Sequence, residues 1–223
     1  PPYHLRPNKA VDRFLLVEIL RKLEANCPIS SYTYYGLGGP FLEDCRLLNE
    51  SFPGLKLVSL ETNRHTYRRQ EFHKFSKSID LKNCNLQNFM SSFECNGREI
   101  VWLDYVDLKE QRFNELSQLL KITLRAQLDD NPYSTGDSSA GEFEKKLKEF
   151  RTGFESKFGN FMPGDECDED YIPGEFPKLL QRMLQIATQK AVPADSNAIF
   201  QPLHSAYYND GTLMLSLTGI VLD

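Results

Sequence analysis

A doubly wound α/β fold, with a mostly parallel sheet that finishes in an antiparallel hairpin, is predicted by three features of this 223-residue sequence. Short apolar runs of strand composition alternate with helical patterns, which implies crossover connections and a parallel sheet. A glycine cluster, Gly36-Leu37-Gly38-Gly39, joins the first apolar run directly to a helical pattern. The tail then changes character and becomes two strand-like runs joined across Asn209-Asp210-Gly211, a hairpin signal.

The elements follow in order. Val11, Phe14, Leu15, Ile19, Leu20 and Leu23 recur at helical spacing and predict a helix over Asn8–Ala25 with an apolar face. Pro28 and the serines at 30 and 31 break it, and Tyr32–Tyr35 has the aromatic, β-branched composition of a strand. After the glycines, Phe41, Leu42, Cys45 and Leu48 continue at helical spacing. Pro53-Gly54 marks a turn, Lys56–Leu60 a second strand, and Asn63 to Lys74 a polar helix. Ser78–Asp80 reads as a short strand, Asn85–Phe93 as helix, and Ile100–Leu103 as a hydrophobic strand delivering Asp104. Leu108–Leu120 is helical in pattern, Lys121–Ala126 strand-like, Glu142–Phe158 and Phe176–Lys190 helical. The acidic run Asp165–Asp170, between Pro-Gly pairs, reads as a solvated loop. Residues 1–30 form an N-terminal arm and helix, and 31–223 one α/β domain that makes a single structural unit with that helix.

Composition narrows the function. Forty per cent hydrophobic and 26% charged residues exclude a disordered or fibrous chain. Twenty-six Lys and Arg against 31 Asp and Glu, a formal net charge of -5, argue against a uniformly basic surface but leave room for a basic face. No apolar stretch approaches the roughly 20 residues of a membrane span, so no membrane partner is expected. The chain opens on Pro1 without a basic, apolar leader, so no secretory signal is expected. Five cysteines without a CxxC pair predict reduced thiols, cytoplasmic residence and no zinc site. The histidines have no metal-ligand spacing, so no metal is expected.

The candidate chemistry gathers where strands end. Gly36, Gly38 and Gly39 permit a tight turn and close approach of backbone to a ligand, at the start of a helix. Glu61, at the end of the second strand, sits where doubly wound folds accept the ribose hydroxyls of a nucleoside. The bland alternative makes the glycines a tight connection and Glu61 a helix cap. Asp80 and Asn85 either approach the base of that nucleoside or serve as turn and N-cap. The fourth strand delivers Asp104, a candidate proton acceptor, and Tyr105, which can stack on or hydrogen-bond a substrate. Asp107 either touches substrate or caps the next helix. In the polar N-terminal stretch, Arg6 and Lys9 are candidates to reach over the pocket to substrate, with Asn8 as a helix cap the alternative. Arg64, Arg68, Arg69, Lys74, Lys77 and Lys82, interleaved with His65, Tyr67, Phe72, His73 and Phe75, suit a phosphate-bearing partner or nucleic acid. A charged, solvated helix face is the plainer reading. Cys45 has no base in pattern and reads as core.

Taken together, these motifs resemble the class I S-adenosylmethionine-dependent methyltransferases, over residues 31–223 in element order. The resemblance implies a Rossmann-like, methyltransferase-type fold whose glycine loop (Gly36, Gly38, Gly39) and Glu61 hold S-adenosylmethionine, with Asp104–Asp107 as the motif after strand four. It implies methyl transfer to an oxygen or nitrogen nucleophile of a small-molecule or phosphate-bearing substrate. Two departures are visible: Tyr34 and Tyr35 stand where that family usually places an acid, with Glu43 and Asp44 a turn further on, and Asp104-Tyr105 lacks the Pro-Pro of amino-methylating enzymes. The altered motifs also suit a non-catalytic module that kept the fold and binds a protein or nucleic acid. The oligomeric state is not encoded in any pattern of this sequence.

Overall fold

The computed structural model describes residues 7–93, 98–104, 109–116, 123–128, 140–172, 174–192, 197–209 and 213–222. The chain forms two compact units, Pro1–Asp104 with Lys121–Leu124, and Tyr105–Leu120 with Arg125–Asp223. The fold is α/β and Rossmann-like, with a parallel sheet and a closing antiparallel hairpin.

In the first unit, β1 (Thr33–Gly36), β2 (Lys56–Leu60), β3 (Ile79–Lys82) and β4 (Glu99–Asp104) are parallel neighbours in the order β3-β2-β1-β4. β2 and β4 are buried along almost their whole lengths, as strands covered on both faces must be. The helices are α1 (Pro7–Leu23), α2 (Glu43–Ser51), α3 (Arg64–His73) and α4 (Leu86–Ser91). Asn63 caps α3 by accepting from the N–H groups of His65 and Thr66, and Asn85 caps α4 by accepting from that of Asn88. Leu16, Val17 and Leu20 of α1 share one core with Leu42, Cys45 and Leu48 around Tyr34, Leu57 and Ile100.

The buried face of α1 differs from the one its apolar spacing predicts. Lys9, Asp12 and Arg13 are buried with Leu16, Val17 and Leu20, whereas Val11 and Phe14 stand 56% and 59% exposed. Tertiary ion pairs, described below, set this rotation.

The second unit holds α5 (Glu110–Leu116), α6 (Ala140–Phe158), α7 (Phe176–Lys190), β6 (Ile199–Asn209) and β7 (Leu213–Leu222); β5 (Thr123–Leu128) is shared, with its first two residues in the first unit. Phe150, Phe154 and Phe158 recur every fourth residue on α6 and pack on Tyr171, Phe176 and Phe113. The acidic run is more fixed than the solvated loop its composition predicts. Residues Asp168–Tyr171 form a 3-10 turn that buries Tyr171 completely. Arg151 donates to Asp168 at 2.5 Å and Glu155 at 2.6 Å, Tyr171 Oη donates to Glu155 at 3.0 Å, and Arg182 pairs with Asp165. β6 and β7 pair antiparallel from Ile199↔Leu222 to Asn209↔Leu213, and residues 210–211 of the expected turn lie outside the described residues. Among the described residues no helix is long and apolar enough to cross a membrane.

Candidate functional site

The strand registers assemble the carboxyl edge of the first unit. Gly36 of β1 stands level with Ser59 of β2 and Trp102 of β4, so Glu61 and Asp104 follow on either side of the loop that β1 runs into. This is the edge at which open α/β sheets bind ligands.

Each glycine of the loop has its own reason. Tyr34 and Gly36 share a strand face, and Tyr34 lies across Gly36 so closely that an added Cβ would meet its Cζ at 2.6 Å and Cε1 at 2.8 Å. A Cβ on Gly38 would meet Ser59 Oγ at 2.5 Å. Gly39 differs, since a Cβ there would have only Glu43 Oε2 near it, at 3.9 Å. Close packing of the chain on itself thus explains two of these glycines, while at the third a side chain would meet only an ordinary contact with Glu43. Leu42 takes a left-handed conformation (φ 57°) and turns the chain into α2. Gln70 of α3, fully buried, ties the loop down by donating from Nε2 to the carbonyls of Gly38 (2.6 Å) and Gly39 (3.2 Å).

Glu61 is partly buried, and its Oε1 accepts from the backbone N–H of Asn63 at 2.7 Å. Burial pushes its carboxyl above the ordinary value of 4.5, against the lowering influence of the Asn63 and Thr62 N–H groups. Asn83 donates from Nδ2 to the Glu61 carbonyl at 2.7 Å and so fixes the strand end that carries it.

Asp104 and Lys9 meet. Lys9 Nζ donates to both carboxylate oxygens, at 2.8 and 2.9 Å, with side-chain exposures of 2% for Lys9 and 18% for Asp104. One helical turn along α1, Arg13 Nε pairs with Asp44 in the first turn of α2. Two basic side chains on one face of α1 therefore hold it to the end of β4 and to the start of α2. The structure joins the expected proton acceptor with an expected substrate contact. Both oxygens of Asp104 already accept from an ammonium.

The other expected residues are placed as follows. Asp80 is exposed on β3, and the Asn85 side chain is engaged as the cap of α4. Arg6, Tyr105 and Asp107 lie outside the described residues. Arg64, Arg68, Arg69, Lys74, Lys77 and Lys82 are exposed, beside Phe72, which is 84% exposed, while Arg69 stacks 4.8 Å from the Phe41 ring centroid. Cys45 is buried and its thiol is pushed far up by desolvation, which makes it inert core. Among the described residues no group of three or more His, Cys, Asp or Glu is arranged to hold a metal ion.

Sequence reasoning missed Gln70 and Ser59 altogether, left Arg13 without a role, and offered Asp44 only as a stand-in, with Glu43, for the acid missing before the glycines, whereas the structure pairs Asp44 with Arg13. A glutamine in a polar helix carries no periodic signal, and the Arg13–Asp44 pair spans 31 residues. A nucleoside cofactor asks for a carboxylate beyond the second strand and a loop that lets a ligand approach. Glu61 supplies the first and the open face of Gly39 the second, so these residues fit the group that the resemblance implies.

The family model described as "Putative O-methyltransferase" matches residues 1–223, and the chain belongs to that family. No curated protein matches the chain. Among solved structures, EvdMO1 is similar at 13% identity over 92% of this chain and 40% of that one, with a TM-score of 0.47. A point mutant of MtNAS in complex with S-adenosylmethionine is similar at 10% identity, over 94% and 62% of the two chains, with a TM-score of 0.42. A point mutant of the 16S rRNA (adenine(1408)-N(1))-methyltransferase from Catenulisporales acidiphilia gives 10% identity, 93% and 91% coverage and a TM-score of 0.44. The chain spans between 40% and 62% of the length of the first four solved structures it matches.

Proposed function

We propose that this member of an O-methyltransferase family binds S-adenosylmethionine at the carboxyl edge of its first unit and methylates an oxygen or nitrogen nucleophile of a small-molecule or phosphate-bearing substrate. One observation carries the reading: the Glu61 carboxylate and the open face of Gly39 stand at the same sheet edge, with Asp104 across the loop. When bound, S-adenosylmethionine supplies an electrophilic methyl group on a sulfonium. The chain's own tasks are to hold and to orient. Glu61 accepts the ribose hydroxyls, and the loop around Gly39 admits the ligand against backbone. Asp104 holds negative charge at the end of β4, with Lys9 fixing the orientation of both its oxygens. Asp104 takes a proton from an acceptor on a lone pair that Lys9 leaves unused, while Lys9 keeps the carboxylate in orientation.

Titration calorimetry with S-adenosylmethionine and S-adenosylhomocysteine tests the reading. Glu61→Ala should weaken binding by about tenfold, the loss of a charge-assisted hydrogen bond or two. Asp104→Ala should harm turnover more than binding. Failure of both compounds to bind the folded chain overturns the proposal, and equal loss of affinity from the two changes overturns the division of roles.

A second reading, a non-catalytic module that binds a protein or nucleic acid, is favoured by the filling of Gly36 and Gly38 by Tyr34 and Ser59. Absence of cofactor binding together with capture of a nucleic acid on the exposed Arg64–Lys82 face would select it.

A further inference from the structure

The one buried side chain of α3 is an amide, not a hydrocarbon. Among the ten residues Arg64–His73, Gln70 alone is buried. Burying a primary amide is costly unless both its ends find partners. Gln70 has them. Nε2 donates to Gly38 O at 2.6 Å and to Gly39 O at 3.2 Å, while Oε1 accepts from Ser59 Oγ at 3.3 Å. The orientation of the amide follows from chemistry, because a flipped group would set its oxygen against two carbonyls that can only accept.

The two carbonyls are the informative part. Gly38 C=O belongs to the peptide before Gly39, and Gly39 C=O to the peptide after it. Fixing both sets the two peptide planes that flank Gly39, the one glycine of the loop at which a Cβ would meet no close contact. Ser59 completes the arrangement from β2: it holds the amide oxygen and also fills the space a Gly38 side chain would need.

We infer that Gln70 is a positioning residue for the cofactor, acting through the Gly38–Gly39 backbone, with Ser59 orienting it. This rests on the proposed S-adenosylmethionine site and names the device that shapes it. Gln70 does not touch the ligand. It determines which way the open face of Gly39 looks.

The test uses the whole chain. Gln70→Met keeps length and packing but removes both donors. S-adenosylhomocysteine affinity is measured by calorimetry, and amide hydrogen exchange is followed over residues 37–42. An Ile79→Val or Ile79→Ala variant in β3, whichever matches the loss of thermal stability, serves as control. Gln70→Met should weaken S-adenosylhomocysteine binding about tenfold and speed exchange of the loop by a similar factor, as expected for lost hydrogen bonds. The stability-matched control should leave both near wild type. Unchanged affinity, unchanged loop exchange, or an affinity loss no greater than the control's overturns the inference. Should Gln70→Met fail to fold, Ser59→Ala decides: a severalfold weaker affinity supports the assignment, and an unchanged one overturns it. A wild-type chain that binds no S-adenosylhomocysteine overturns the underlying site in its own arm of the experiment, and this assignment with it.

Discussion

Removing either partner of the Lys9–Asp104 pair should cost the first unit several kcal/mol, and the two removals should differ. Breaking a buried pair by deleting one charge typically costs about 3–5 kcal/mol, because the other is left without its counter-charge. The two ends are not equally placed. Asp104 is 18% exposed, so in Lys9→Met water can partly solvate the carboxylate, and the lower end of that range, about 3 kcal/mol, applies. Lys9 is only 2% exposed. In Asp104→Asn its ammonium loses this counter-charge with almost no access to water, and the upper end of the range, about 5 kcal/mol, applies. In a chain of this length, about 2–4 °C of melting temperature accompanies each kcal/mol. Lys9→Met should therefore lower the midpoint by roughly 6–12 °C, and Asp104→Asn by more. The pH dependence is diagnostic. Losing the Asp104 charge lowers the Lys9 pKa in the folded chain alone, so in Asp104→Asn stability recovers as pH rises from 7 towards the ordinary lysine value. The double variant Lys9→Met/Asp104→Asn removes both charges and should be less destabilised than the sum of the singles. Thermal melts followed by circular dichroism at pH 7 and 9.5 measure all of this. Additive losses, or an Asp104→Asn variant whose deficit is unchanged at high pH, would refute the argument.

Two further predictions follow from the loop and its neighbours. Glu61 has a raised carboxyl, so its ionisation costs stability above that value and nothing once it is protonated in both states. Glu61→Gln should then raise the melting temperature at pH 7 slightly, with the gain vanishing as pH falls through the carboxylate range; a gain that persists at pH 3 contradicts the cause given. Gly36→Ala should destabilise by about 1–3 kcal/mol, since its Cβ collides with the Tyr34 ring. Combining it with Tyr34→Leu should recover part of that loss, and Gly39→Ala should be tolerated thermally, which differential scanning calorimetry of the set would check.

Much of the fold was legible because its signals are local. Lys56–Leu60 and Phe176–Lys190 form the elements expected from apolar runs and turn residues, and the hairpin pairs where its flanking patterns place it. The glycine loop, Glu61 and Asp104 were legible as strand-end residues, and the parallel registers bring them to one edge. The face of α1 was not. Hydrophobic periodicity places Val11 and Phe14 inside, yet Lys9 and Arg13 occupy the buried face because their partners, Asp104 and Asp44, come from other elements. Helical periodicity measures transfer of apolar groups from water and is silent about a charge that finds its counter-charge 95 residues away. Gln70 was hidden for the same reason: its partners are backbone carbonyls, which every sequence has. The acidic run is largely exposed, as its composition predicts, but the arginines at 151 and 182 that also hold it are distant in sequence and were not legible.

The distance between Lys9 and Asp104 also orders events during synthesis. The first helix leaves the ribosome with a lysine that must be buried, and the aspartate that balances it is translated 95 residues later. At about 5–20 residues per second that interval is roughly 5–19 s. Until then, docking of α1 would bury the ammonium without this counter-charge. β1 waits over much of the same time, since β2 covers one of its edges and only β4, which carries Asp104, covers the other. A single strand, β4, thus covers the open edge of β1 and brings the carboxylate to which α1 docks, so a helix that precedes the sheet in the chain waits for its fourth strand.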